Sequence, residues 1–151
     1  MPHELRRDAY LLSDDRSLLD MDVIHGFLTD CYWSKGIPRD LVQRAIDNSM
    51  PFGIYNTSSG QPRQVGFGRV ISDKATYAYL CDVFVIEPHR KRGLCQLLMQ
   101  HIMSHPDLQG LRRICLLTRD AQGVYEKCGF GYLDDVRRFM QVVKRDLYLQ
   151  P

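Results

Sequence analysis

The sequence predicts a sheet with helices packed on it, an α+β or α/β fold, and three observations carry that prediction. Up to residue 50 the apolar residues recur at three- and four-residue spacing; from Phe52 they come in aromatic and β-branched runs; after Gly93 helical and strand-like patterns alternate. The order that results is helix, helix, meander, helix, strand, helix, strand. One domain spanning residues 1–151 accounts for it, because a chain of 151 residues buries a core without metals or disulfides.

Each element has its own signal. Leu19, Val23, Ile24, Phe27, Leu28 and Cys31 fall on one helical face, and Ser17 with Asp20 offers a start resembling a capping box. A second helix begins near Pro38, a favourable first-turn residue, and presents Leu41, Val42, Ala45 and Ile46. FGIY, QVGFGRVIS and TYAYLCDVFVI read as three successive strands, the first two joined through the turn-forming cluster NTSSGQPRQ at residues 56 to 64. LMQHIM, inside residues 93 to 105, reads as helix and LRRICLLT as a short strand. DAQGVYEKC reads as a helix stopped by Gly129, and FMQVVKRDLYL as a last strand.

Composition narrows the function classes. The net charge of +2, from 20 Lys and Arg against 18 Asp and Glu, is too balanced to argue for nucleic-acid binding, so any anion site is local. No apolar run approaches the roughly 20 residues of a membrane span, and MPHELRRDAY lacks the apolar core of a secretory signal; the expected location is the cytoplasm, away from membranes. The five cysteines are widely spaced and form no CxxC pair, which reads as buried thiols rather than a disulfide or zinc framework.

The stretch VFVIEPHRKRGLCQLLM, residues 83 to 99, is a strand-to-helix junction. Val83, Phe84, Val85 and Ile86 form the strand, and Pro88 ends it because proline cannot donate to a ladder. The turn follows as Arg90, Lys91, Arg92, Gly93, Leu94 and Cys95. A helix starting there leaves its first N–H groups unpaired with the positive end of the helix dipole behind them, which suits a phosphate. Gly93 removes the side chain where a ligand would come closest to the backbone, and the cations add charge, so a pyrophosphate fits. The alternative is a basic, solvated helix start. Neither a P-loop nor a GxGxxG fingerprint is present.

Here the chain resembles the GNAT superfamily of acetyl-CoA-dependent N-acetyltransferases. That family's pyrophosphate loop, [Q/R]-x-x-G-x-[G/A] entered from a strand, is matched through Arg90 and Gly93 after the strand that ends at Val85 and Ile86, with Cys95 in place of Gly or Ala. A second signature, A-x-x-L-Y-E-K-x-G-F, is matched by AQGVYEKCGF through Ala121, Tyr125, Glu126, Lys127, Gly129 and Phe130, with Val124 replacing Leu. The resemblance implies a three-layer α/β-type sandwich whose mixed central sheet splays at the cofactor strand, with helices on both faces. It implies acetyl-CoA as donor, no metal, and dimers as a frequent assembly.

By the same resemblance, the backbone of the strand Val83–Phe84–Val85 pairs with the pantetheine arm and the turn from Arg90 to Cys95, including Lys91, Arg92 and Leu94, holds the pyrophosphate. Thr118 stands where many relatives carry an asparagine that contacts the cofactor. Tyr125 occupies the general-acid position; the alternative is a core aromatic. Asp82, beside the cofactor strand, is the favoured base or amine ligand; the alternative is a strand aspartate paired with an arginine. Asp120 is expected to cap the helix of Tyr125.

Acceptor contacts are sparser in the sequence. Tyr32, Trp33 and Ser34 lie between two predicted helices at a lid position, and Trp33 either lines the cleft or caps the core. His25 and Phe139, the latter after Arg137 and Arg138, are further acceptor-site candidates beside structural readings. The expected reaction is transfer of an acetyl group to a primary amine of a small molecule or peptide by direct attack in a ternary complex. No histidine accompanies Cys81, Cys95 or Cys128 in a recognisable motif, so a thiol nucleophile is not expected. The rival reading is a non-catalytic acyl-CoA-binding sensor or regulatory protein with the same fold, told apart by whether CoA is released with any amine. Nucleic-acid binding through Arg90, Lys91 and Arg92 predicts steep salt dependence and no competition by CoA, and is not expected.

Overall fold

The computed structural model describes residues 1–151. Six strands form one sheet in sequence order: β1 (Glu4–Arg7), β2 (Tyr10–Ser13), β3 (Met50–Asn56), β4 (Arg63–Ser72), β5 (Tyr77–Val85) and β6 (Arg113–Leu116). All neighbours are antiparallel except β5 and β6. That one parallel pair needs a crossover, which α3 (Leu94–Met103) supplies. Helices α1 (Met21–Asp30) and α2 (Arg39–Asp47) precede the meander, and α4 (Gln122–Glu126) follows β6.

The helices lie on both faces of the sheet. On one face Leu94, Leu97, Leu98, Met99 and Ile102 of α3 join Leu12, Phe52, Ile54, Val70, Ala78 and Leu80 in a buried cluster. On the other, Ile24, Leu28, Val42 and Ile46 of α1 and α2 pack on Phe67 and Phe84. The helix starts follow their sequences: the Asp20 side chain accepts from the N–H groups of Asp22 and Val23, while Ser17 sits in a separate 3-10 turn capped by Asp15. Gly68 on β4 allows the close approach of α3, since a Cβ there would stand 3.0 Å from Leu98 Cδ2.

A bulge gives β5 two characters. Phe67 pairs with Phe84 but Arg69 with Cys81, so β5 carries one extra residue, and Asp82 takes φ 55 to accommodate it. The side-chain alternation inverts there: Ala78, Leu80, Val83 and Val85 face the α3 cluster and Phe84 the opposite one. The pairing with β6 stops at Leu80 and Leu116, leaving Cys81–Val85 without a partner on that side. The expected splay is therefore present at this strand.

Three expectations need correction. The hairpin of β1 and β2 is absent from the sequence reading, because ELRR has one apolar residue and no visible alternation. FMQVVKRDLYL is no strand: Phe139–Asp146 are exposed, Asp146 turns into the left-handed region at φ 55, and only a 3-10 turn at Leu147–Leu149 follows. The charged run Lys144–Asp146 breaks the apolar alternation a strand would need to face a core. The five cysteines are free thiols, and each is half-buried rather than buried.

Candidate active site

The open edge of β5 leads straight into the basic turn. Pro88 sits in a 3-10 turn, Glu87–His89, and Arg90 folds back so that its Nε donates to the Val85 carbonyl at 2.8 Å. Lys91 and Gly93 both take positive φ, 62 and 72, which brings the chain abruptly into α3. Gly93 is the N-cap residue and offers no side-chain cap, so the first-turn N–H groups of α3 are left for an outside acceptor. Leu94 is buried under the turn and Cys95 is half-buried.

Tyr125 reaches this helix start from α4. Its side chain is buried, packs edge-on against Phe130 at 5.9 Å, and sets its hydroxyl beside the Cys95 thiol. Burial first, then that thiol, push the phenol well above its ordinary range, so the hydroxyl carries its proton at neutral pH. Burial also raises the thiols of Cys95 and Cys128 and pushes Cys81 up to about 12. None of these three is poised as a thiolate.

Asp82 is a strand aspartate paired with an arginine, the second of its two sequence readings. Arg69 Nε donates to one carboxylate oxygen at 2.9 Å and Trp33 Nε1 to the other at 3.1 Å. The ion pair is largely shielded, with side-chain exposures of 14% and 16%. Trp33 is thereby tied to β5 rather than capping the core. A chain of aromatic contacts runs outward from it: Phe84 stacks on Phe27 at 4.0 Å, Phe27 tilts toward Trp33 at 6.1 Å, and Trp33 meets Tyr32 edge-on at 5.1 Å. Arg119, from the loop before α4, lies over the Tyr32 ring at 3.9 Å. That contact joins the α1–α2 loop to the α4 side of the splay.

Other candidates fall elsewhere. His25 Nε2 bonds the Ile37 carbonyl at 2.9 Å and fixes the α1–α2 loop, a structural task. Phe139 is exposed on the C-terminal segment, just after a 3-10 turn at Val136–Arg138. Thr118 Oγ1 accepts from the Ala121 N–H at 3.1 Å and so caps the approach to α4, while Asp120, expected there, is exposed and pairs with Arg119. Sequence reasoning missed Arg69 and Arg119. Arg69 had one available signal, its place one strand before Asp82; the Tyr32–Arg119 contact had none, since it joins two loops.

The chain matches the acetyltransferase (GNAT) family over residues 22–130. It is 31% identical over 146 residues to a Gibberella zeae protein carrying an acetyltransferase name, covering 83% of this chain and 81% of that one. A crystal structure from Xanthomonas campestris, described as a GNAT-family acetyltransferase, shares 47% identity with a TM-score of 0.89 over 96% of this chain and all of that one. A GNAT-family acetyltransferase from Elizabethkingia anophelis, solved with acetyl-CoA bound, is 12% identical with a TM-score of 0.64, covering 85% of this chain and 80% of that one, a likeness of fold.

Proposed function

The chain belongs to the GNAT family of acetyltransferases, and from that membership we propose that it moves the acetyl group of acetyl-CoA to a primary amine of a small molecule or peptide by direct attack in a ternary complex. The observation that carries this reading is the unpaired edge Cys81–Val85 running into the uncapped start of α3. A strand edge can hydrogen-bond an extended amide-bearing arm as it would a peptide. The Gly93 turn then meets the diphosphate with backbone N–H groups and nearby cations. The Val85 carbonyl is already engaged by Arg90, so the free pairing groups lie toward Val83.

Acetyl-CoA supplies an activated thioester; the chain supplies orientation and protons. Tyr125, protonated and beside the helix start, gives its proton to the departing thiolate. Asp82 has one accepted hydrogen bond per oxygen and lone pairs to spare, from which it takes the amine's proton directly or through water. Trp33 and Tyr32 form the wall along which the amine enters. Direct attack is favoured over a thiol intermediate because Cys81, Cys95 and Cys128 are held in the thiol form.

Calorimetric titration of acetyl-CoA into the parent and a Gly93→Trp variant tests the cofactor site. Binding should be lost in the variant, and no binding by the parent at millimolar ligand would sink the reading. With an amine found by screening for CoA release, Tyr125→Phe should lower kcat by about 10²–10⁴-fold, the usual worth of a general acid. An unchanged kcat would leave Tyr125 as a packing residue.

A further inference from the structure

We propose that the cleft between the β1–β2 hairpin and the turn before α3 binds the 3′-phosphate of the CoA moiety, with Arg7 and Arg92 as its ligands. This rests on the reading that the chain uses acetyl-CoA, and adds a second phosphate site made of side chains to the backbone site at Gly93.

The cleft has a volume of about 460 Å³, and Arg7, Tyr10, Asn56, Ser58, His89 and Arg92 are among its walls. Its two guanidinium groups arrive from distant parts of the chain. Neither Arg7 nor Arg92 is held in an ion pair, so both guanidiniums are free to meet a guest in the cleft. Two unpaired guanidiniums facing one cleft favour a dianionic guest, and their planar forks suit phosphate oxygens.

The hairpin is held where the proposal needs it. The Tyr10 hydroxyl and His89 Nδ1 are 2.8 Å apart and their rings meet edge-on at 5.8 Å, which ties β2 to the 3-10 turn leading into α3. Asp8 takes φ 53 to turn the hairpin, and Arg7 emerges one residue before it. Arg7 Nη2 consequently lies 3.7 Å from the position a Cβ would occupy on Gly93. A guanidinium this close to the diphosphate turn is within reach of a phosphate on the neighbouring ribose. Asp8 also lines the cleft and opposes the charge, but the two arginines outnumber it. Asn56 and Ser58 add neutral hydrogen-bonding groups of the kind a ribose needs.

The test compares CoA with 3′-dephospho-CoA by calorimetric titration into the full chain, its Arg7→Ala variant and its Arg7→Lys variant. Arg7 is exposed at a hairpin end, and circular dichroism of each variant checks that the fold is kept. Arg7→Ala should weaken CoA about tenfold, the worth of one charge-assisted contact. Arg7→Lys should recover part of that, and both variants should bind 3′-dephospho-CoA as the parent does. Equal weakening of both ligands would move Arg7 to the diphosphate and overturn the assignment; unchanged CoA affinity, or a parent that binds both ligands equally, would overturn it as well. A parent that binds neither ligand would overturn the acetyl-CoA reading itself, an outcome distinct from the others.

Discussion

His101 buries an imidazole at 1% exposure while neither ring nitrogen has a hydrogen-bond partner. It stacks on His3 at 4.5 Å, Phe52 meets it edge-on at 5.8 Å, and His105, itself bonded to Asp14 at 3.0 Å, completes the cluster. Burial, then the His3 imidazole, lower its pKa to about 4, with Asp14 opposing. Because the folded value lies below the unfolded one of 6.5, its contribution is fully present above that pH and is lost as the pH falls toward 4. By pH 5 the cost is about 2 kcal/mol. Urea unfolding of the parent and His101→Phe near neutrality and near pH 5 checks this, since the phenyl ring keeps the stacking and removes the proton site. The parent should lose about 2 kcal/mol more than the variant on acidification; equal losses would place the acid sensitivity outside this cluster.

Between β4 and α3 the fit depends on an absent side chain. A Cβ on Gly68 would stand 3.0 Å from Leu98 Cδ2 and 3.5 Å from Val83 Cγ2. Gly68→Ala gains about 0.4–1 kcal/mol by restricting the unfolded chain, but overpacking costs about 1–3 kcal/mol, so the variant should be less stable by about 1 kcal/mol. Leu98→Ala alone should cost about 2–5 kcal/mol. Together they should cost less than their sum, because the smaller residue frees the space the new methyl needs, and a double-mutant cycle in denaturant would read that coupling. Strict additivity would mean the two elements slide apart rather than clash. Such packing between elements is what a sequence hides, while junctions within one stretch are legible. The β5 turn and α3 start were readable because strand, Pro88 and Gly93 are consecutive. Arg69 and Asp82 meet only through the register of β4 on β5, and Arg7 meets Gly93 only through the Tyr10–His89 tie. The misread last strand shows the converse: Val142 and Val143 look like strand residues, yet Val142 is 97% exposed with no strand beside it.

At the scale of the whole molecule, the sheet and its two helical layers are complete before residue 131, and the C-terminal segment runs over the outside. It contributes no residue to either buried cluster. Its end nevertheless returns to the cleft side, for a Cβ on Gly36 would stand 2.9 Å from the Tyr148 carbonyl oxygen and 3.0 Å from Leu149 Cδ2. Gly36, at φ 82, closes the loop that carries Tyr32 and Trp33, so the segment braces the wall assigned to the amine. A chain ending at residue 138 should therefore melt within about 3 °C of the parent, since deleted exposed residues carry little burial. It should also bind acetyl-CoA unchanged. The amine KM should rise several-fold, because Trp33 and Tyr32 lose the support behind them, while kcat, which the proposed mechanism assigns to Tyr125 and Asp82, stays within about twofold. Saturation kinetics in the amine, paired with a thermal melt, separate these effects. A fall in acetyl-CoA affinity or a melt lowered by about 10 °C would show that the segment belongs to the folded core rather than to the amine's entrance.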